Sequence, residues 1–131
     1  MIVDTSVWVD FLNAQETAET RLLQRAIEED APVYLTGLIL AEILQGIRQS
    51  RRLATVRGDL LNFPLIEPRA PDTYIAAAAL YRRARRRGLT VRSIVDCVIA
   101  ATAIEAAEPV LHRDRDYSAL CKISPLHEVA V

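Results

Sequence analysis

Four carboxylates stand where the chain changes character: Asp4 in MIVDTSVW, Glu42 in ILAEILQG, Asp96 in SIVDCVIAA and Asp114 in VLHRDRDY. Asp4 closes a short apolar run, and Asp96 interrupts a stretch from Ile94 to Ala107 that is otherwise almost wholly apolar. An ionised carboxylate in apolar surroundings needs a compensating cation or a set of donors, because desolvating an unpaired charge costs several kcal/mol or more. Oxygen-only donors select hard divalent cations. If the four acids meet in space, they define a site for Mg2+, with Mn2+ as a substitute.

Each acid also has an ordinary structural role open to it. Asp4 precedes a helix and reads as its N-cap, and Ser93-x-x-Asp96 has the form of a capping box. Asp114 and Asp116 open a helix after a strand, where Asx turns are common. On the helix expected at 38–48, Leu40, Ile43, Leu44 and Ile47 gather on one side, and Glu42 falls opposite with Gln45 and Gln49, as on a solvated face. Asp96 fits its bland role least, since a cap inside a buried helix still leaves a charge to be answered. One such cap is ordinary. Four acids at element ends that feed one edge of a sheet favour the chemical reading.

The elements that must position them alternate. Residues 1–4, Pro32 to Thr36, the LIE between Pro64 and Pro68, Pro109 to His112 and Leu126 to Val131 are strand candidates, with proline at their margins. Helices are expected from Thr5-Ser6 through VWVDFLN, over 16–30, 38–48 and 51–62, from Asp72 to a C-capping Gly88, from Ser93 to about Ala107, and over DRDYSALCK. Short apolar strands alternating with helices predict an α/β fold in three α/β/α layers, with a central, mainly parallel sheet of about four or five strands. Ligands of such sheets bind beyond the carboxyl ends of the strands, where Asp4 and Asp114 fall.

The 131 residues, 51% hydrophobic and 25% charged, fit one globular domain over 1–131 with a core of its own. No apolar run approaches the ~20 residues of a transmembrane helix, and no basic flank precedes an apolar N-terminal stretch, so a cytoplasmic protein without membrane contact is expected. Cys97 and Cys121 lack the number and spacing of a disulfide framework or zinc site, and Cys97 reads as a small buried hydrophobe. The net charge of −1 argues against a general nucleic-acid coat. Its distribution is uneven: of 16 basic residues only Lys122 is lysine, and ten arginines fall in 48–57 and 82–92. The 82–87 run suits either a polyanion or the C-terminal dipole of its own helix. Arg113 and Arg115 flank Asp114 and are placed to touch a phosphodiester. Trp8 and Phe11 read equally as core or as part of a partner groove.

The ordered set IVDTSVWVDFL, LILAEILQGIR, SIVDCVIAATA and VLHRDRDY resembles the PIN-domain ribonucleases, specifically the VapC-type toxins of bacterial type II toxin–antitoxin systems. The resemblance spans nearly the whole chain. It implies that Asp4, Glu42, Asp96 and Asp114 form the family's acidic quartet around Mg2+ or Mn2+, with Asp116 a further acid at the metal. It also implies that Thr5 and Ser6 supply hydroxyls that orient an acid or a water. The expected activity is endonucleolytic cleavage of RNA, in tRNA or rRNA loops, leaving a 5′-phosphate and a 3′-hydroxyl. A VapB-like antitoxin and a homodimer within the toxin–antitoxin assembly are the expected partners. Two departures stand out, Tyr117 where Phe is usual and His112 where Thr is frequent; His112 is expected to space or hydrogen-bond rather than to catalyse. The alternative is a regulatory PIN-domain protein acting in a complex on operator DNA with little nuclease activity. Haloacid-dehalogenase phosphatases are disfavoured because Thr5 and Ser6, not D-x-D, follow the first strand. Response-regulator receivers are disfavoured because the only lysine is Lys122.

Overall fold

The computed structural model describes residues 1–131. Two strands, β1 (Ile2–Val3) and β2 (Val110–Leu111), pair in parallel with Ile2 opposite Val110 and Val3 opposite Leu111. Single parallel bridges carry the ladder outward: Tyr34 beside Ile2, Leu65 beside Leu35, and Glu128 beside Val110. Backbone N–H groups of Tyr34, Leu35, Ile2 and Val110 donate to the carbonyls of Met1, Pro64, Pro109 and His127 at 2.9, 3.1, 2.9 and 2.9 Å. The sheet therefore has five parallel segments, in the spatial order Leu65, Tyr34–Leu35, β1, β2, Glu128. The outer ones are short because Pro32, Pro64, Pro68 and Pro125 remove donors beside them.

Seven helices fill the connections: α1 (Thr5–Leu12), α2 (Ala18–Glu28), α3 (Gly37–Gln45), α4 (Ser50–Leu60), α5 (Asp72–Arg86), α6 (Ile94–Ala106) and α7 (Arg115–Cys121). They pack in two sets. In the first, α1 meets α2 and α3, and α3 meets α4; in the second, α5, α6 and α7 all touch one another. These are the outer layers of the α/β/α arrangement. Helix α2 starts later than its acidic first turn implies because Thr17 caps it, with Thr17 N–H and Thr20 Oγ1 2.9 Å apart and Thr20 N–H and Thr17 Oγ1 3.0 Å apart. At the end of α5 the chain turns through Gly88 at φ 68°, the left-handed conformation that glycine adopts without a Cβ penalty.

Helix α6 decides the geometry. Residues Cys97 to Ala103 are buried all the way round it, which is possible only because α5, α7 and the sheet enclose it. Cys97 is fully buried, and burial pushes its thiol up to about 11, so it stays protonated and inert. Trp8 belongs to the core, edge-on to Phe11 at 6.0 Å and Phe63 at 5.2 Å. No helix is long and apolar enough to cross a membrane.

Candidate active site

The spatial order of the sheet reverses between β1 and β2. From β1 the chain works outward to Leu65 through α1–α4; it then returns to β2 and continues to Glu128 through α5–α7. Neighbouring strands whose connections leave in opposite directions open a crevice at their carboxyl ends. Asp4, the residue after β1, still donates its N–H to the Leu111 carbonyl of β2 at 2.9 Å, and Asp114 follows three residues after Leu111.

Asp4 is only 5% exposed, so its charge must be met by donors. It caps α1: its Oδ2 accepts from Ser6 N–H at 3.0 Å and from Ser6 Oγ at 2.6 Å. Its Oδ1 accepts from the hydroxyl of Tyr117 at 2.9 Å. Ser6 Oγ is itself fixed by the backbone N–H of Arg113 at 3.1 Å, which ties the turn after β1 to the turn after β2. Burial, followed by the charge of Asp4, holds the Tyr117 phenol well above its usual range, so it remains a donor.

Glu42 reaches the same crevice from α3, where Thr5 Oγ1 donates to its Oε1 at 2.9 Å. Its carboxyl is raised, chiefly by burial and further by Asp4, while the Thr5 bond pulls it down. The solvated face expected for Glu42 is instead a face turned toward α1. The helical wheel could not show that α1 would occupy it.

Asp96 does not close a capping box. Ser93 Oγ accepts from Val95 N–H at 3.1 Å and caps α6 alone, leaving the Asp96 carboxylate without a hydrogen-bond donor. Burial first, then the charges of Asp4, Asp114, Asp116 and Glu42, push it up to about 7. All four other acids are thus near enough to act on one carboxyl. One oxygen each from Asp96, Asp114 and Asp116 lie within 4.8 Å of one another.

Asp114 caps α7, with its Oδ1 accepting from Asp116 N–H at 2.9 Å, and Asp116 is 1% exposed. A residue without an assigned role from sequence answers both. Arg92 donates from Nη2 to Asp114 Oδ1 at 2.7 Å, and from Nε and its own backbone N–H to Asp116 Oδ2 at 3.1 and 3.0 Å. In sequence it is one more arginine of the 82–92 window, with only its position four residues before Asp96 as a signal. The Tyr117 hydroxyl was the other unassigned member, visible only as a departure from Phe.

His112 hydrogen-bonds, as its strand-end position implies. Its Nδ1 accepts from Asp114 N–H at 3.0 Å, so in the neutral ring Nε2 carries the proton and donates to Glu128 Oε2 at 2.8 Å. Of the expected phosphate-binding arginines, Arg113 pairs with Asp10 and, at 3.7 Å, with Glu19, while Arg115 is exposed at the start of α7. In the 82–87 run, Arg83 donates to the Ile123 carbonyl at 2.8 Å and Arg85 lies 5.3 Å from the Tyr81 ring centroid. Those two are partly committed to the fold.

The PIN domain profile matches residues 1–123. Ribonuclease VapC11 of Mycobacterium tuberculosis is 34% identical over 127 residues, covering 96% of this chain and 95% of that protein. The chain belongs to the VapC ribonucleases of the PIN-domain family. A VapC ribonuclease of Mycobacterium bovis matches to the same extent. Among solved structures, VapBC2 from Rickettsia felis, bound to a DNA fragment from its promoter, superposes with a TM-score of 0.77 at 15% identity, covering 98% of this chain and 96% of that chain. VapC20 of Mycobacterium tuberculosis, described as a sarcin-ricin loop cleaving toxin, gives 0.68 at 22% identity, covering 90% and 92%. At those identities the likeness establishes the fold, which the VapC relationship already places among metal-using nucleases.

The donor set fits a divalent metal on its own chemistry. It is oxygen-only, and in Asp96 it presents a carboxylate that no protein donor occupies.

Proposed function

We propose that this protein is the toxin of a type II toxin–antitoxin pair, acting through its single PIN domain over residues 1–131 as a Mg2+-dependent endoribonuclease on tRNA or rRNA loops. A VapB-like antitoxin neutralises it, and it works as a homodimer within that assembly. The reading is carried by the meeting of Asp4, Glu42, Asp96 and Asp114, from four distant parts of the chain, where the strand order reverses. It is supported by VapC ribonucleases 34% identical over 96% of the chain. A solved neighbour described as a member of the VapBC family of toxin–antitoxin systems supports the antitoxin partner.

Asp4 and Asp96 are the direct ligands, with Asp114 and Asp116 completing the acidic wall. A carboxylate-held divalent ion lowers the pKa of its water and polarises a phosphoryl oxygen. The chain supplies the rest. Ser6 and Tyr117 fix Asp4 on both oxygens, so the carboxylate meets its ligand without reorganising. Thr5 holds one oxygen of Glu42 and leaves the other to take a proton from the attacking water. Arg113 and Arg115 neutralise the phosphates beside the scissile bond, and the RNA is read in an unpaired loop.

The test is purified protein on total tRNA and rRNA, with Mg2+ or Mn2+ and with EDTA, followed by mapping of the cleaved ends. Metal-dependent cuts ending in 5′-phosphate, lost in a folded Asp4→Asn variant, are expected. Cleavage that persists in EDTA and in Asp4→Asn would overturn the proposal, as would intact RNA under every metal condition.

A further inference from the structure

The five acids of the crevice are not equivalent. Asp114 and Asp116 already have a cation. Arg92 donates to Asp114 Oδ1 at 2.7 Å through Nη2 and to Asp116 Oδ2 at 3.1 Å through Nε. Its position is set by the backbone rather than by a free side chain, because the Arg92 N–H also donates to Asp116 Oδ2 at 3.0 Å and the next residue, Ser93, caps α6. Asp116 is 1% exposed, and Arg92 supplies the one positive charge paired with it. A buried carboxylate stripped of that partner is strongly unfavourable, so the pair is a built part of the fold.

On the other side of the crevice no side-chain cation is paired with Asp4, Asp96 or Glu42. Asp4 and Glu42 accept only from neutral hydroxyls and an amide, and Asp96 accepts from nothing. A second divalent ion on Asp114 and Asp116 would have to displace the guanidinium or sit beside it, and like charges at contact distance repel strongly where water is scarce. The uncompensated charge is therefore confined to the β1 side.

We propose that Arg92 stands in place of a second divalent ion, so that the centre takes one divalent cation, at Asp4 and Asp96. This rests on the metal-centre reading above and says which acids remain for the ion.

The test is Mn2+ stoichiometry, with free Mn2+ read by electron paramagnetic resonance and the fold followed by circular dichroism, on wild type, Arg92→Gln and Arg92→Lys. One ion per chain is expected in wild type and in Arg92→Lys, and two in Arg92→Gln, whose exposed acids regain a use for a cation. Two ions on wild type, or one on a folded Arg92→Gln, would overturn the inference while leaving the metal centre standing. No Mn2+ on wild type would remove the metal centre itself and this inference with it. If Arg92→Gln does not fold without metal, Mn2+ becomes the folding ligand. Recovery of the helical signal at two ions per chain supports the substitution, and no recovery at millimolar Mn2+ refutes it.

Discussion

Replacing Asp96 by Asn should stabilise the metal-free protein above neutral pH and abolish its response to metal. The Asp96 carboxyl is pushed up from 3.8 to about 7, by burial first and then by Asp4, Asp114, Asp116 and Glu42. In the unfolded chain the same group titrates at about 4. Below that pH both states hold the proton, and Asp96 contributes nothing to stability. Above it the unfolded chain binds fewer protons than the folded one, so stability falls as pH rises, until the penalty is complete past about 7. A shift of roughly three pK units corresponds to an upper bound of ~4 kcal/mol. Asp96 is only half-buried, and solvent screening reduces this to roughly 1–2 kcal/mol. Asn keeps the shape without the charge, so the variant should melt roughly 4–7 °C higher than wild type in EDTA at about pH 8. The gain should shrink toward zero at about pH 4.5. Adding Mn2+ should then raise the melting point of wild type and leave the variant unmoved. Calorimetry at both pH values, with and without Mn2+, makes the comparison. An Asp96→Asn protein that melts below wild type by the same amount at both pH values would show that Asp96 has a stabilising partner in the fold, and the account of an unsatisfied carboxylate would fail.

Two other substitutions probe the groups that orient the acids. Tyr117→Phe removes the donor to Asp4 Oδ1 and should cost about 1–3 kcal/mol, read from urea unfolding in EDTA, because the carboxylate it abandons is buried. A midpoint equal to that of wild type would mean that Asp4 needs no second donor. Thr5→Val removes the bond that lowers Glu42, whose carboxyl should then rise further, so the acidic limb of the pH–rate profile for RNA cleavage should move to higher pH. A limb that stays in place would exclude Glu42 as the group that takes the proton.

Much of the architecture is local and could be read locally. The apolar runs at Ile2–Val3 and Val110–Leu111, the caps Thr17, Thr36 and Ser93, and the left-handed Gly88 each depend on a few neighbouring residues. Where local reading went astray, a distant element had intervened. Glu42 sits on the polar side of its own helix, yet Thr5 of α1 meets it there. Ser93 and Asp96 have the spacing of a capping box, yet Ser93 caps alone and Asp96 faces other acids. Arg92 is indistinguishable in the sequence from the arginines that end α5, because its partners lie 22 and 24 residues further along.

By itself the sequence determined which residues bear the chemistry and which helix is wrapped in core, since carboxylate placement and apolar periodicity are properties of the chain. The tertiary structure decided the spatial order Leu65, Tyr34–Leu35, β1, β2, Glu128, and with it the crevice where the acids meet. It also decided which carboxylates are already neutralised and which are left for an ion. The reason is physical: side-chain periodicity acts over one or two turns of helix, whereas charge pairing depends on distance in space, which sequence separation does not determine.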